Sequence, residues 1–149
     1  MISLVKETDI ERFVEAQNMP CNSYPDALTE IRLGRKRTHW VWYIFPQLRG
    51  LGYSHNAHFY GISGRDEALR YLQHPVLGAR LREISRALLQ HRGSAAVEIL
   101  GSIDALKVCS SMTLFDAISP SDVFAEVLSS FYGDIRCERT LSLLTNAEA

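Results

Sequence analysis

Proline and cysteine are scarce in this 149-residue chain, with five prolines and three cysteines. Cys21, Cys109 and Cys137 are odd in number and lack Cys-x-x-Cys spacing. That excludes a disulfide scaffold and a four-cysteine zinc site, and it points to a reducing, cytoplasmic setting. The longest strongly apolar run, Trp40 to Phe45, falls far short of the roughly 20 residues a membrane-spanning helix needs. Met1 to Ile10 carries Lys6, Glu7 and Asp9 and has no apolar centre of the kind an export signal requires. Neither sign of charge dominates: 16 Lys and Arg against 17 Asp and Glu leave a formal charge of −1. That balance removes any global attraction to nucleic acid or to an acidic membrane. An Asn-Gly hairpin turn, alternating strand runs, a phosphate loop, a dinucleotide fingerprint and a nucleophile elbow are all absent.

What is present is a hydrophobic content of 46%, enough for a real core in one domain spanning residues 1–149. Short amphipathic helices recur. Thr8 and Glu11 have capping-box spacing ahead of a helix to Gln17, and a second helix runs from Pro25 to a stop at Gly34. Thr38 to Phe45 reads as a short buried helix stopped by Pro46. Ser54 opens a helix to Tyr60, and Ser63 with Asp66 opens one that ends near His74, ahead of Pro75. Leu77, Leu81, Ile84 and Leu88 form the clearest helical stripe. Helices from Ser94 to Gly101, from Ser102 through Phe115, from Ser119-Pro120-Ser121-Asp122 to Gly133 and near Arg139 to Leu144 complete the chain. The expectation is an all-α, single compact multihelical domain of about eight to nine short helices.

The densest chemistry lies in Arg35-Lys36-Arg37-Thr38-His39-Trp40-Val41-Trp42-Tyr43-Ile44-Phe45-Pro46-Gln47, which holds both tryptophans of the chain. Successive helical residues turn about 100° apart, so these aromatics cannot all face one core, and some should line a groove. Aromatic walls beside guanidinium groups suit a planar anion. The competing reading is that the aromatics simply pack and the basic triplet complements a helix C-terminus. His39 can exchange a proton near neutral pH, and Gln47 can orient a water or carbonyl beside it. A second constellation is Asp104, Lys107, Ser110, Ser111 and Thr113, with Lys107, Ser110 and Ser111 on one helical face and Leu106, Cys109, Met112 and Phe115 forming the apolar face beside it. The lysine could clamp an anion; the plainer reading is a snorkelling lysine and hydroxyls bonded to the preceding turn. His55 and His58 lack the partners a metal site needs, so neither a metal nor a cofactor is expected.

The strings His39-Trp40-Val41-Trp42-Tyr43-Ile44-Phe45-Pro46-Gln47, Gly50-Leu51-Gly52, Tyr71-Leu72-Gln73-His74-Pro75-Val76-Leu77-Gly78-Ala79-Arg80-Leu81 and Asp104-Ala105-Leu106-Lys107 running into Ser111-Met112-Thr113-Leu114-Phe115 resemble a bacterial and fungal family. It is the family numbered 1810 among the domains of unknown function. The resemblance spans Phe13 to Leu141 and implies a compact, mostly helical cytoplasmic domain with no assigned activity, substrate or cofactor. Some members carry the label calpastatin, but this chain does not resemble that inhibitor's disordered repeats. His39, Trp40, Trp42, Pro46, Gln47, Lys107, Ser111 and Thr113 fall in the family's motifs, while Met19 to Ser23 lengthens the early loop relative to many members.

The expected function is a small-molecule-binding or enzyme-like domain with a polar and aromatic pocket for an anionic, nucleotide-like ligand. His39 and Lys107 are its catalytic candidates, and Arg37, Trp40, Trp42, Gln47, Ser110, Ser111 and Thr113 its binding candidates. The alternative is a protein-interaction module with an exposed aromatic patch. RNA or single-strand binding through Arg32, Arg35, Lys36, Arg37 and Arg49 ranks last because of the net charge.

Overall fold

The computed structural model describes residues 5–148; residues 1–4, part of the N-terminal segment read above, lie outside the described residues. Ten helices follow in order: α1 (Glu11–Gln17), α2 (Tyr24–Arg32), α3 (Val41–Ile44), α4 (His55–Phe59), α5 (Arg65–Gln73), α6 (Leu77–Leu89), α7 (Ala96–Leu100), α8 (Ser102–Ile118), α9 (Val123–Tyr132) and α10 (Glu138–Glu148). Among the described residues, extended pairing is limited to an isolated parallel bridge between Leu48 and Ile62, so the chain is all-α.

Local sequence accounts for most boundaries. Ser23 and Asp26 exchange side-chain and backbone bonds in a capping box at the start of α2, so the lengthened early loop ends in a defined cap. Ser54 caps α4 through the Ala57 N–H at 3.1 Å, and Asp122 caps α9, which stops at Gly133 in the left-handed conformation. At α1, α5 and α7 the expected caps move. α1 starts after Ile10 without a side-chain cap. α5 starts after Gly64, because the Ser63 N–H goes to the Glu67 carboxylate at 3.0 Å. α7 starts after Ala95, whose N–H goes to Glu98 at 3.1 Å.

α8 runs through the middle of the domain, packed on α9, α7, α5, α10 and α3. It buries Ala105 and every residue from Val108 to Phe115, so it is apolar nearly all round rather than amphipathic. A file of rings crosses the core from α1 to α9. Phe13 meets Tyr71 edge-on at 5.1 Å, Tyr71 lies 5.4 Å from Phe115, and Phe115 lies 5.8 Å from Phe124. α5 and α6 approach so closely that a Cβ on Gly78 would sit 2.0 Å from the Leu72 carbonyl oxygen. Beneath α1, Arg12 is buried with all its donors used. It bonds both carboxylate oxygens of Glu67 (2.8 and 2.9 Å) and the carbonyls of Phe59, Asp9 and Gly61. Burial works against ionisation of Glu67, but Arg12 and the Ser63 N–H outweigh it and hold the carboxyl below its ordinary value.

Candidate functional site

The segment rich in aromatics is held in place by a buried carboxylate. Glu30, on the inner side of α2, accepts the backbone N–H of Arg37 and of Thr38, the Thr38 hydroxyl at 2.6 Å and the Trp40 indole N–H at 3.1 Å. Burial opposes the charge on Glu30, and these four donors keep its carboxyl below the usual value. Thr38 is thereby drawn to Glu30 instead of capping α3, which begins after Trp40. The far end of α3 is pinned by Gln17, whose side-chain amide donates to the Tyr43 carbonyl at 2.8 Å, and by the Tyr43 hydroxyl, which donates to the Asn22 carbonyl at 2.6 Å. One turn of helix would not persist by itself, so these bonds set where Trp42 and His39 stand.

The outward face of α8 completes the site. Gly101 precedes the helix at φ 85°, where a side chain would be strained and where no side chain caps the first turn. Lys36, His39, Val41, Trp42 and residues 100–104 enclose a cavity of about 360 Å³ with Lys107. Lys36 reaches Asp104 at 2.8 Å and also bonds the Thr38 carbonyl, with its charge 5.0 Å from the Trp40 ring centre. Lys107 stands 5.2 Å over the Trp42 ring and 3.8 Å from Asp104. The Trp42 indole nitrogen is buried without a hydrogen-bond partner among the described residues. A second cavity of about 470 Å³ adjoins the first across Ile103 and Lys107, walled by Gln47, Leu51, Leu106, Cys109, Ser110, Cys137 and others. The groove therefore contains two lysines against Asp104, with Arg139 at its far end beside Arg136, which Asp116 pairs at 3.1 Å, and its lining favours negative charge.

The two constellations read from sequence meet at Lys107. His39 and Trp42 line the first chamber, Gln47 and Ser110 the second, and Lys107 both. Four other candidates lie elsewhere. Trp40 is fully buried and tied to Glu30, so its ring cannot stack on a ligand. Arg37 is exposed and contributes its backbone N–H to Glu30, outside the linings of both chambers. Ser111 is fully buried, and Thr113 is buried with its hydroxyl donating to the Cys109 carbonyl at 2.8 Å. Of the apolar face expected on α8, Cys109, Met112 and Phe115 are buried. Leu106 is instead 72% exposed, between exposed Ile103 and half-buried Lys107, whereas Ser110 one turn on is buried. The neighbours of α8 cover it on the Ser111 side, which a helical wheel of α8 alone does not reveal. His55 stacks on Phe59 and His58 pairs with Glu7 at 2.9 Å; neither enters the groove. Sequence reasoning passed over Ile103, Arg136, Cys137 and Arg139. The signal for Cys137 was its place immediately before the stripe Leu141 and Leu144, where a helix begins.

This arrangement can be set beside known proteins. The model of a family described as a protein of unknown function, DUF1810, matches residues 7–144. The chain belongs to the DUF1810 family. Its fold is also similar to the crystal structure of the conserved hypothetical protein Rv1873 from Mycobacterium tuberculosis, with 46% identity, a TM-score of 0.87, and coverage of 92% of this chain and 96% of that one. No curated protein matches. In this DUF1810 chain Lys107 lines both chambers of the groove beside α8. Among the described residues no helix is long and apolar enough to cross a membrane, and no three His, Cys, Asp or Glu side chains are grouped to hold a metal ion.

Proposed function

We propose that the domain binds a small anionic molecule in the groove between α3 and the N-terminal half of α8, in a reducing compartment such as the cytoplasm. The observation that carries this reading is the position of Lys107. Its ammonium stands over Trp42, in a cavity also lined by His39, so a cation, a π-face and an imidazole converge on one space. Asp104 lies 3.8 Å from Lys107, too long for a tight ion pair, and leaves that ammonium with donors to offer a phosphate or carboxylate. A nucleotide-like ligand suits the aromatic wall. Within this reading Lys107 clamps the anion and His39 is the group placed to take or give a proton in a hydrolytic or transfer step. The three free thiols fit a reducing setting.

A second reading, a protein-docking surface, draws support from Ile103, Leu106 and Ile135, each about 70% exposed around the second chamber. A thermal-shift screen of nucleotides, sugar phosphates and common metabolites separates the two. A ligand at 100 times its Kd adds about 2.7 kcal/mol to stability. A hit that disappears in both His39→Ala and Lys107→Ala supports the anion reading. A panel with no hit, on variants as stable as the parent, removes it in favour of docking.

A further inference from the structure

We propose that the anion of the preceding reading, on which this inference rests, is an amphipathic phosphate, with its head at Lys107 in the first chamber and a hydrocarbon tail in the second. The two chambers differ in character and share a wall. The first holds Lys36, His39, Asp104 and Lys107 beside Trp42. The second is walled by Leu51, Ile103, Leu106 and Ile135, and its charged lining, Lys107, Arg136 and Arg139, is all cationic. Ile103 and Lys107 line both, so one molecule can span the two. Polar atoms of the second chamber are spent within the protein. The Ser110 hydroxyl donates to the Leu106 carbonyl at 3.1 Å, and the Cys109 thiol donates to the Ile135 carbonyl at 3.6 Å. Ile103, Leu106 and Ile135 are each about 70% exposed, and a hydrocarbon laid over them would take that apolar surface out of water. A sugar or a base would bring polar edges to the same walls and find few partners there.

The pairing of the three cations decides which end takes the head. Arg136 donates to the Asp116 carboxylate through Nε at 3.3 Å and Nη2 at 3.1 Å, and to the Asp134 carbonyl at 3.0 Å. Arg139 donates to the Gly50 carbonyl at 3.3 Å. Lys107 is the least engaged. Its carboxylate neighbour Asp104 is 3.8 Å away, and Lys36 holds the other oxygen of that carboxylate at 2.8 Å. An ammonium acts on phosphate as a point charge, whereas a carboxylate is better matched by the planar fork of an arginine. The first turn of α8, which no side chain caps, lines the chamber that receives the head, and N–H groups at such a terminus add to the attraction for phosphate. The part of α8 beside the second chamber, Ile103 to Ser110, is about 10 Å long at the helical rise per residue. That length suits a medium alkyl chain rather than a methyl or ethyl group.

The test titrates the full-length protein calorimetrically with n-decyl phosphate below its micelle concentration, n-butyl phosphate, AMP and uncharged decyl maltoside. Each methylene taken out of water strengthens binding about fourfold, so decyl phosphate should bind at least about fiftyfold tighter than butyl phosphate with only half of its extra methylenes covered. Lys107→Met should weaken both alkyl phosphates at least about tenfold, and Arg139→Gln should weaken them by less than about twofold. Leu106→Ser should shrink the ratio between the two about fivefold. Decyl phosphate no tighter than butyl phosphate or AMP overturns the tail and leaves the anion reading standing, and that comparison needs only the parent chain. Failure of all three phosphates to bind overturns the inference, and the anion reading falls with it only when the metabolite screen is blank as well. Decyl maltoside as tight as decyl phosphate overturns the anionic head, and loss of binding in Arg139→Gln with none in Lys107→Met overturns its place. Sedimentation with phosphatidic acid vesicles as strong as binding of free decyl phosphate would put a bilayer on this patch and overturn a free ligand.

Discussion

The knot beneath α1 and the groove beside α8 both take polar groups out of water, yet they end in opposite states. Around Arg12 every donor has an acceptor, and Glu67 accepts from Arg12 twice and from Ser63. Around Lys107 the pairing is incomplete: Asp104 lies 3.8 Å away, and the Trp42 indole nitrogen is buried without a partner among the described residues. The first pattern holds a fold together; the second has capacity left for something that arrives.

Breaking the knot should have the largest effect. Arg12→Ala or Glu67→Ala leaves an unpaired buried charge and should cost about 3–5 kcal/mol in urea unfolding. The double variant Arg12→Met with Glu67→Leu should recover much of that loss, because neither charge then remains. Acid probes the same contrast. Glu67 and Glu30 both have pKa values held below the ordinary 4.5, so in acid the unfolded chain binds protons that the native one refuses. Their stabilisation is complete above about pH 4.5 and is lost as the pH falls through the folded values. Urea midpoints measured from pH 6 to pH 3 should drop, and Glu67→Gln should flatten part of the slope.

In the groove the effects should move from stability to binding. Lys107→Met should weaken any anion found in the screen at least tenfold, about 1.4 kcal/mol, while unfolding shifts by less than about 1 kcal/mol. Asp104→Asn removes the one negative charge facing both lysines and should tighten the same anion about fivefold, read by calorimetric titration. Leu106→Ser, on the exposed rim, should change stability by no more than about 0.5 kcal/mol. A larger loss there would mean that the rim is structural and would erase the contrast.

Much of the fold was legible because its signals are local. The stripe Leu77, Leu81, Ile84 and Leu88, the cap at Ser54 and the stop at Gly133 each depend on neighbours within a turn or two. The site was half legible. His39, Trp42, Gln47, Lys107 and Ser110 line the groove, but Trp40 does not, since its burial depends on Glu30, ten residues away on another helix. Ser111 and Leu106 exchange expected faces for a similar reason: α8 is apolar nearly all round, so its own periodicity cannot say which side faces water. Ser63 and Asp66 read as a capping box, yet the Ser63 N–H serves Glu67 in a knot whose other half is Arg12, more than fifty residues earlier. Long-range polar partners of this kind leave no mark in a local pattern.

Both tryptophans of the chain lie within one short segment at the edge of this groove. The tryptophan fluorescence of the protein therefore comes from that corner alone. Trp40, sealed in the core beside Glu30, supplies a steady background, whereas Trp42 emits under the field of the Lys107 ammonium. A ligand that draws Lys107 away from the ring would change the colour of the emission, so the protein carries its own optical reporter for the site.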